Sequence, residues 1–134
     1  MERTFVMIKP DGMKKGLADE IKKRICAAGF KIAAERTFTF DDRLVREHYS
    51  HMVQKPFFPE LAEFMTSSPV VGMIVEGKGA INGMRDLMGV TDPSFAAKGT
   101  IRKDFGTDKM LNVVHGSDSA AAAEQEIKRF FGGN

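Results

Sequence analysis

Phe5-Val6-Met7-Ile8-Lys9-Pro10-Asp11-Gly12 is the stretch from which the fold is read: four consecutive apolar residues closed by a turn signal. The run predicts a buried strand that stops at Ile8 and enters a turn. Beyond it, Leu17, Ile21, Ile25 and Ala28 recur at helical spacing, with Gly29 where a helix C-cap belongs. Phe30–Ala34 and Thr37–Phe40 partly alternate and predict a second strand. Asp41 and Asp42 are N-cap candidates for a helix carrying Leu44, Val45, His48 and Tyr49. Pro59 suits the first turn of a short helix through Leu61, Phe64 and Met65.

The second half repeats the alternation. Val70–Val75 predicts a strand, and Ala80–Met88 a helix interrupted by Gly83. Thr91–Met110 is polar, glycine-bearing and without sustained period. Structureless loops beyond ~12–15 residues are uncommon and often functional, so this one is expected to belong to a site. Asn112–His115 reads as a short final strand, and Gly116-Ser117-Asp118-Ser119 caps a last helix through Ile127, Phe130 and Phe131. The order is β-α-β, a helical insertion, then β-α-β-α. Its βαββαβ core predicts an α+β, ferredoxin-like sandwich, with an antiparallel four-stranded sheet, helices on one face and the insertion added.

Length and composition fit one domain spanning residues 1–134, 43% hydrophobic and 28% charged. Twenty Lys+Arg against 18 Asp+Glu leave a formal charge of +2, too little for bulk attraction to nucleic acid or a membrane. The lone Cys26 forms no internal disulfide. The N-terminus has no signal-peptide pattern, and the longest apolar stretch falls far short of the ~20 residues that span a bilayer. The expectation is a soluble, cytoplasmic protein with no membrane and no obligate nucleic-acid partner.

Three histidines, one tyrosine and no tryptophan leave few parts for chemistry. Gly72–Gly79 nearly matches a phosphate-binding P-loop, but Gly79 stands where a hydroxyl should meet magnesium, and Met73-Ile74-Val75 reads as strand. His48 and His51 are three apart beside Glu47, but zinc needs at least a third protein ligand and none is nearby. A partly buried His48 and a solvated His51 are expected instead. His115 ends an apolar strand directly before Gly116–Ser119, a helix start favourable to anions. A neutral imidazole is a competent nucleophile towards phosphorus. Glu126 could reach back towards Ser117 or His115 if the last helix packs beside the strand. The residues alone equally allow a strand-end histidine satisfied by backbone. Lys9, Arg85 and Arg102 could form the positive clamp that phosphoryl transfer requires. Phe57 and Phe58, between Pro56 and Pro59, offer an aromatic face to a base or an anchor to the core.

Asn112-Val113-Val114-His115-Gly116-Ser117-Asp118-Ser119 closely resembles the active-site signature of nucleoside diphosphate kinases. The resemblance extends to Glu2–Phe5, Ile8–Gly12, Glu47-His48-Tyr49, Pro56-Phe57-Phe58, Gly99–Arg102 and Asp104-Phe105, in the family's order. It implies a ferredoxin-like fold and a ping-pong kinase. His115 would take the γ-phosphate of a nucleoside triphosphate as a phosphohistidine and pass it to a nucleoside diphosphate. By the same resemblance Glu126 and Ser117 orient the imidazole, and Lys9 and Asn112 meet the sugar 3′-hydroxyl, with Lys9 also near the transferred phosphate. Tyr49 matches the phenol beside the histidine. Arg85, Thr91 and Arg102 match the phosphate clamp, and Phe57 with Leu61 the base slot. Mg2+ would arrive on the nucleotide phosphates, with no direct protein ligand and at most water-mediated help from Asp118. Stacking on Phe57 without base-edge hydrogen bonds would give broad base tolerance.

Asp92, Lys103 and Met110-Leu111 depart from the family's usual Asn, Gly and Gly-Arg, and the sequence stops at Asn134 without the extension of longer members. These departures bear on subunit packing. The resemblance implies a homo-oligomer, a hexamer before a tetramer. A nucleotide-binding module without chemistry and a metal-dependent hydrolase using His48 and His51 are the competing readings. The first would need no nucleophile, and the second lacks ligands.

Overall fold

Backbone alternation along the first strand organises the whole molecule. In the computed structural model, which describes residues 2–132, β1 spans Glu2–Ile8 and is hydrogen-bonded on both sides. β2 (Lys31–Phe38), β3 (Val70–Gly77) and β4 (Val114–Gly116) complete a sheet of order β2-β3-β1-β4 in which every neighbouring pair is antiparallel. Successive side chains of a strand point to opposite faces. Val6 and Ile8 pack with Ile21, Ile25, Met84 and Met88, whereas Phe5 and Met7 pack with Val45, Leu61, Met65 and Phe130. A strand covered on both faces has no polar side, which is why Phe5–Ile8 reads as an unbroken apolar run.

The first face is covered by α2 (Ala18–Ala27) and α5 (Ala80–Met88), the two helices of the βαββαβ core. The opposite face is closed by α3 (Asp42–His48), α4 (Phe58–Met65) and α7 (Ala120–Phe131). The one-face arrangement therefore holds for the ferredoxin-like pair, and the insertion with the final helix supplies a second layer. The predicted caps form. Asp41 accepts from Leu44 N at 2.8 Å, Ser119 accepts from Ala122 N at 3.1 Å, and Gly29 follows α2 at φ 94°.

Three local differences from the sequence reading matter for the site. The turn after Ile8 is a helix, α1 (Pro10–Lys14), started by a proline in its first turn. The Thr91–Met110 stretch is not structureless. It carries a 3-10 turn at Pro93–Phe95 and α6 (Ile101–Phe105), capped by Thr100, so Arg102 sits on a helix. The final strand starts at Val114 because Val113 has φ 75°, which no extended residue adopts. The P-loop look-alike is strand through Gly77, with Met73 opposite Val6 in the ladder. No helix among the described residues is long and apolar enough to cross a membrane.

Candidate active site

The end of β1 and the start of β4 are tied together at Val113. Lys9 N donates to Val113 O at 2.8 Å, and Val113 N donates to the buried carboxylate of Asp11 at 3.0 Å. Val114 N returns to Asn112 O at 2.9 Å across Val113, closing a tight three-residue turn. A buried β-branched residue at positive φ is strained, by roughly 1–3 kcal/mol. Only surrounding contacts keep it there. Gly12 leaves room for the turn, since a Cβ at that position would lie 3.0 Å from Val113 Cγ1.

This knot presents Asn112 and His115 to one cleft. Lys9 Nζ donates to Asn112 Oδ1 at 2.9 Å and to Met110 O at 2.6 Å, and Asn112 Nδ2 donates to Thr91 O at 3.0 Å. Burial pulls the Lys9 ammonium down to about 8. Arg102 pushes the same way, and Asp11 and Asp108 oppose it. Lys9 is thus a cation set against the desolvation of its own site.

Beside it, His115 Nε2 and Glu126 Oε1 are 2.9 Å apart, and Ser117 Oγ donates to the same oxygen at 2.7 Å. Ser117 is itself fixed by β1, its hydroxyl accepting from Phe5 N at 3.3 Å. Burial alone would raise the Glu126 carboxyl, but the His115 ring and the Ser117 hydroxyl outweigh it and hold it below the usual range. An ionised Glu126 accepts only, so the imidazole donates from Nε2 and keeps the lone pair on Nδ1. That nitrogen is the one free to attack.

The cleft around His115 has a volume of about 1180 Å3 and is lined by Lys9, Tyr49, Phe57, Leu61, Arg85, Thr91, Arg102, Asn112, Asp118 and Glu126. Of the residues expected at a site, Ser117 alone does not line it, because it is buried behind Glu126. Arg102 donates to Gly89 O and Val114 O, each at 2.8 Å, which aims the guanidinium, and burial lowers it to about 10. Burial drives the Tyr49 phenol upward, so it stays protonated, and its hydroxyl reaches Met65 Sδ at 3.7 Å. Phe57, at the start of α4, is 43% exposed, whereas Leu61 below it is buried. An exposed ring backed by an apolar floor is a stacking platform.

His51 is exposed on a 3-10 turn past the end of α3, so it does not pair with His48 to bind an ion. His48 instead lies against His115, and one ring nitrogen of each, with an oxygen of Glu126, falls within 4.8 Å of the others. Arg129 Nη1 is 2.9 Å from His48 Nδ1. A guanidinium can only donate, so the His48 proton sits on Nε2 and the ring has no lone pair to give a metal. The trio is not a metal site. Asp118 and Asp86 are exposed carboxylates on the cleft wall, two hard oxygen donors that fall short of a cage. That set fits Mg2+ carried by phosphates and water rather than an ion held by protein alone.

Asp11, Val113 and Arg129 escape sequence reasoning. Asp11 is legible only as part of a turn and Val113 only as part of a strand, and nothing local to the last helix singles out Arg129.

Comparison with known proteins agrees with this geometry. The family model described as nucleoside diphosphate kinase matches residues 2–134. The nucleoside diphosphate kinase of Thermobifida fusca is 51% identical over 131 residues, covering 98% of this chain and 97% of that one. The crystal structure of apo nucleoside diphosphate kinase from Encephalitozoon cuniculi superposes with a TM-score of 0.96 at 42% identity, covering 99% of this chain and 90% of that one. The halophilic enzyme of Halobacterium salinarum, solved in complex with CDP, gives a TM-score of 0.94 at 46% identity, over 97% and 87% of the two chains. With the fold, the sequence and the family model in agreement over almost its whole length, the chain belongs to the nucleoside diphosphate kinase family.

Proposed function

We propose that the chain performs its family's reaction, transfer of the γ-phosphate of a nucleoside triphosphate to a nucleoside diphosphate, with His115 Nδ1 as the nucleophile. The carrying observation is the Nε2 contact of His115 with Glu126 at 2.9 Å, backed by Ser117 at 2.7 Å. In the first half-reaction the Nδ1 lone pair attacks the γ-phosphorus. The bond to the β,γ-bridging oxygen breaks, and the diphosphate leaves with that electron pair. In the second, a terminal oxygen of another diphosphate attacks the phosphohistidine and the N–P bond breaks, restoring His115. The imidazole gains positive character while it carries phosphorus, and the Glu126 carboxylate stabilises that charge.

Lys9, Arg85 and Arg102 supply the positive clamp for the phosphates, and Thr91 shares that wall. Lys9 and Asn112, already hydrogen-bonded to each other, meet the sugar 3′-hydroxyl, and Tyr49 flanks the histidine. The base stacks on Phe57 above Leu61. The CDP complex of the Halobacterium salinarum enzyme supports a pyrimidine diphosphate in this cleft. A π-face is common to every base, so the slot tolerates all of them. Mg2+ bound to the nucleotide would neutralise phosphate charge, with Asp118 holding one of its waters. The working unit is a single domain over residues 1–134, assembled as a homo-oligomer, a hexamer before a tetramer, in the cytoplasm.

Incubation with γ-labelled ATP tests the assignment. One acid-labile, base-stable phosphate per chain is expected, and a His115→Ala variant that still carries it would refute the nucleophile.

A further inference from the structure

His48 shares a wall with His115, and phosphoryl transfer as described above makes no use of it. Its ring is buried at 6% exposure and meets the His115 ring edge-on, with centroids 4.9 Å apart at 84°. Phe40 and Phe130 pack on it at 6.1 and 5.1 Å between ring centroids. The polar groups facing it are His115 from β4, Glu126 and Arg129 from α7, His51 beyond α3, and its neighbour Tyr49. Arg129 follows Glu126 by three residues and so shares its helix face. One arm of Arg129 donates from Nη1 to His48 Nδ1 at 2.9 Å, and Nε donates to Glu47 Oε2 at 3.2 Å. The His48 Nε2–H that results is buried and has no hydrogen-bond partner among the described residues.

A buried donor left without an acceptor is costly, and such a group calls for an explanation. We propose that Arg129 is a positioning residue for the reaction: it imposes the Nε2–H tautomer on His48 and holds that ring edge-on against His115, so that the nucleophile keeps its orientation. The inference rests on His115 as the nucleophile. Burial, helped by His115, Arg129 and His51 against Glu126, takes the His48 ring down to about 3, so it is neutral across the working range. What Arg129 decides is therefore the tautomer, not the charge. With the proton on Nδ1 instead, two donors would face each other at 2.9 Å, and the ring would have to move off Arg129 and so off its packing against His115.

The test combines imidazole nitrogen NMR with single-turnover phosphorylation by γ-labelled ATP, on the full chain and on Arg129→Leu and Arg129→Lys. In the unaltered protein His48 should show a bare Nδ1 and a protonated Nε2. A proton on Nδ1 there overturns the proposal whatever the variants do. Arg129→Leu should mix or reverse the tautomer and slow label transfer roughly three- to tenfold, about the worth of one hydrogen bond. Its nucleotide affinity should stay unchanged. Arg129→Lys, which keeps a donor, should restore most of the rate and the tautomer. If Arg129→Leu fails to fold, the lysine variant decides, since loss of the bare Nδ1 with full rate overturns the proposal. So does a folded Arg129→Leu that labels His115 at the original rate. A failure of the nucleophile assignment looks different, because there the label appears without His115.

Discussion

Lys9 should make the protein more stable and less active over the same rise in pH. Its Nζ is buried with hydrogen bonds to Met110 O and Asn112 Oδ1, and burial pulls the ammonium from 10.5 down to about 8. Between these values the unfolded chain holds the Lys9 proton and the folded chain does not. Stability rises with pH wherever the unfolded state binds more protons. Burial of the charge therefore costs about 3 kcal/mol below pH 8, at 1.36 kcal/mol per pKa unit, and that cost is relieved on going from pH 8 to 10.5. The perturbation that isolates it is Lys9→Met, which keeps an unbranched side chain one atom shorter and removes the titration. Urea unfolding of both proteins at one concentration, from pH 7 to 10.5, should show the native protein gaining about 3 kcal/mol relative to the variant. Activity runs the other way. At pH 7 about nine free enzymes in ten carry the Lys9 charge and at pH 9 about one in ten, so kcat/KM should fall through pH 8. Parallel stability curves for the two proteins, or a kcat/KM flat from pH 7 to 9.5, would refute the argument from burial.

Two further outcomes follow from the site. Ser117→Ala removes the 2.7 Å bond to Glu126, worth about 1 kcal/mol, so formation of labelled phosphoenzyme should slow roughly fivefold in rapid quench; an unchanged rate contradicts the role. Phe57→Ala should weaken nucleotide binding roughly tenfold for purines and pyrimidines alike, with kcat nearly unchanged. A loss confined to one base, measured across the four diphosphates, would show that something other than stacking reads it.

Much of this was legible because it depends on local chemistry. Ser119, Asp41 and Gly29 sit at helix ends where their side chains or backbone freedom satisfy unpaired groups, and those ends form as read. His115, Ser117 and Glu126 could be connected from spacing once the last helix lay beside the strand. The second helical layer was harder to see. Its partners, Phe5 and Met7, are separated from Val45, Leu61 and Phe130 by long stretches of chain, and an apolar run does not say which element covers which face. Arg129 was invisible for a different reason. Its meaning lies in a contact with His48, 81 positions earlier, that no pattern within α7 announces.

Val113 shows why the boundary of a strand and the geometry of a site can fail together in a sequence reading. Asn112-Val113-Val114-His115 has the composition of a strand, and valine is among the residues least suited to a positive φ. Propensity therefore extends β4 two residues too far. The conformation is imposed from outside, by the Asp11 carboxylate on Val113 N, by Lys9 N on Val113 O and by the space that Gly12 leaves. All three belong to the turn after β1, and that turn also delivers Lys9 Nζ to Asn112. A straight β4 starting at Asn112 would lose the Val113 turn that links Asn112 to the Lys9 end of β1. The strain at Val113 is thus the means by which two strand ends, over a hundred residues apart, are held in one register at the cleft.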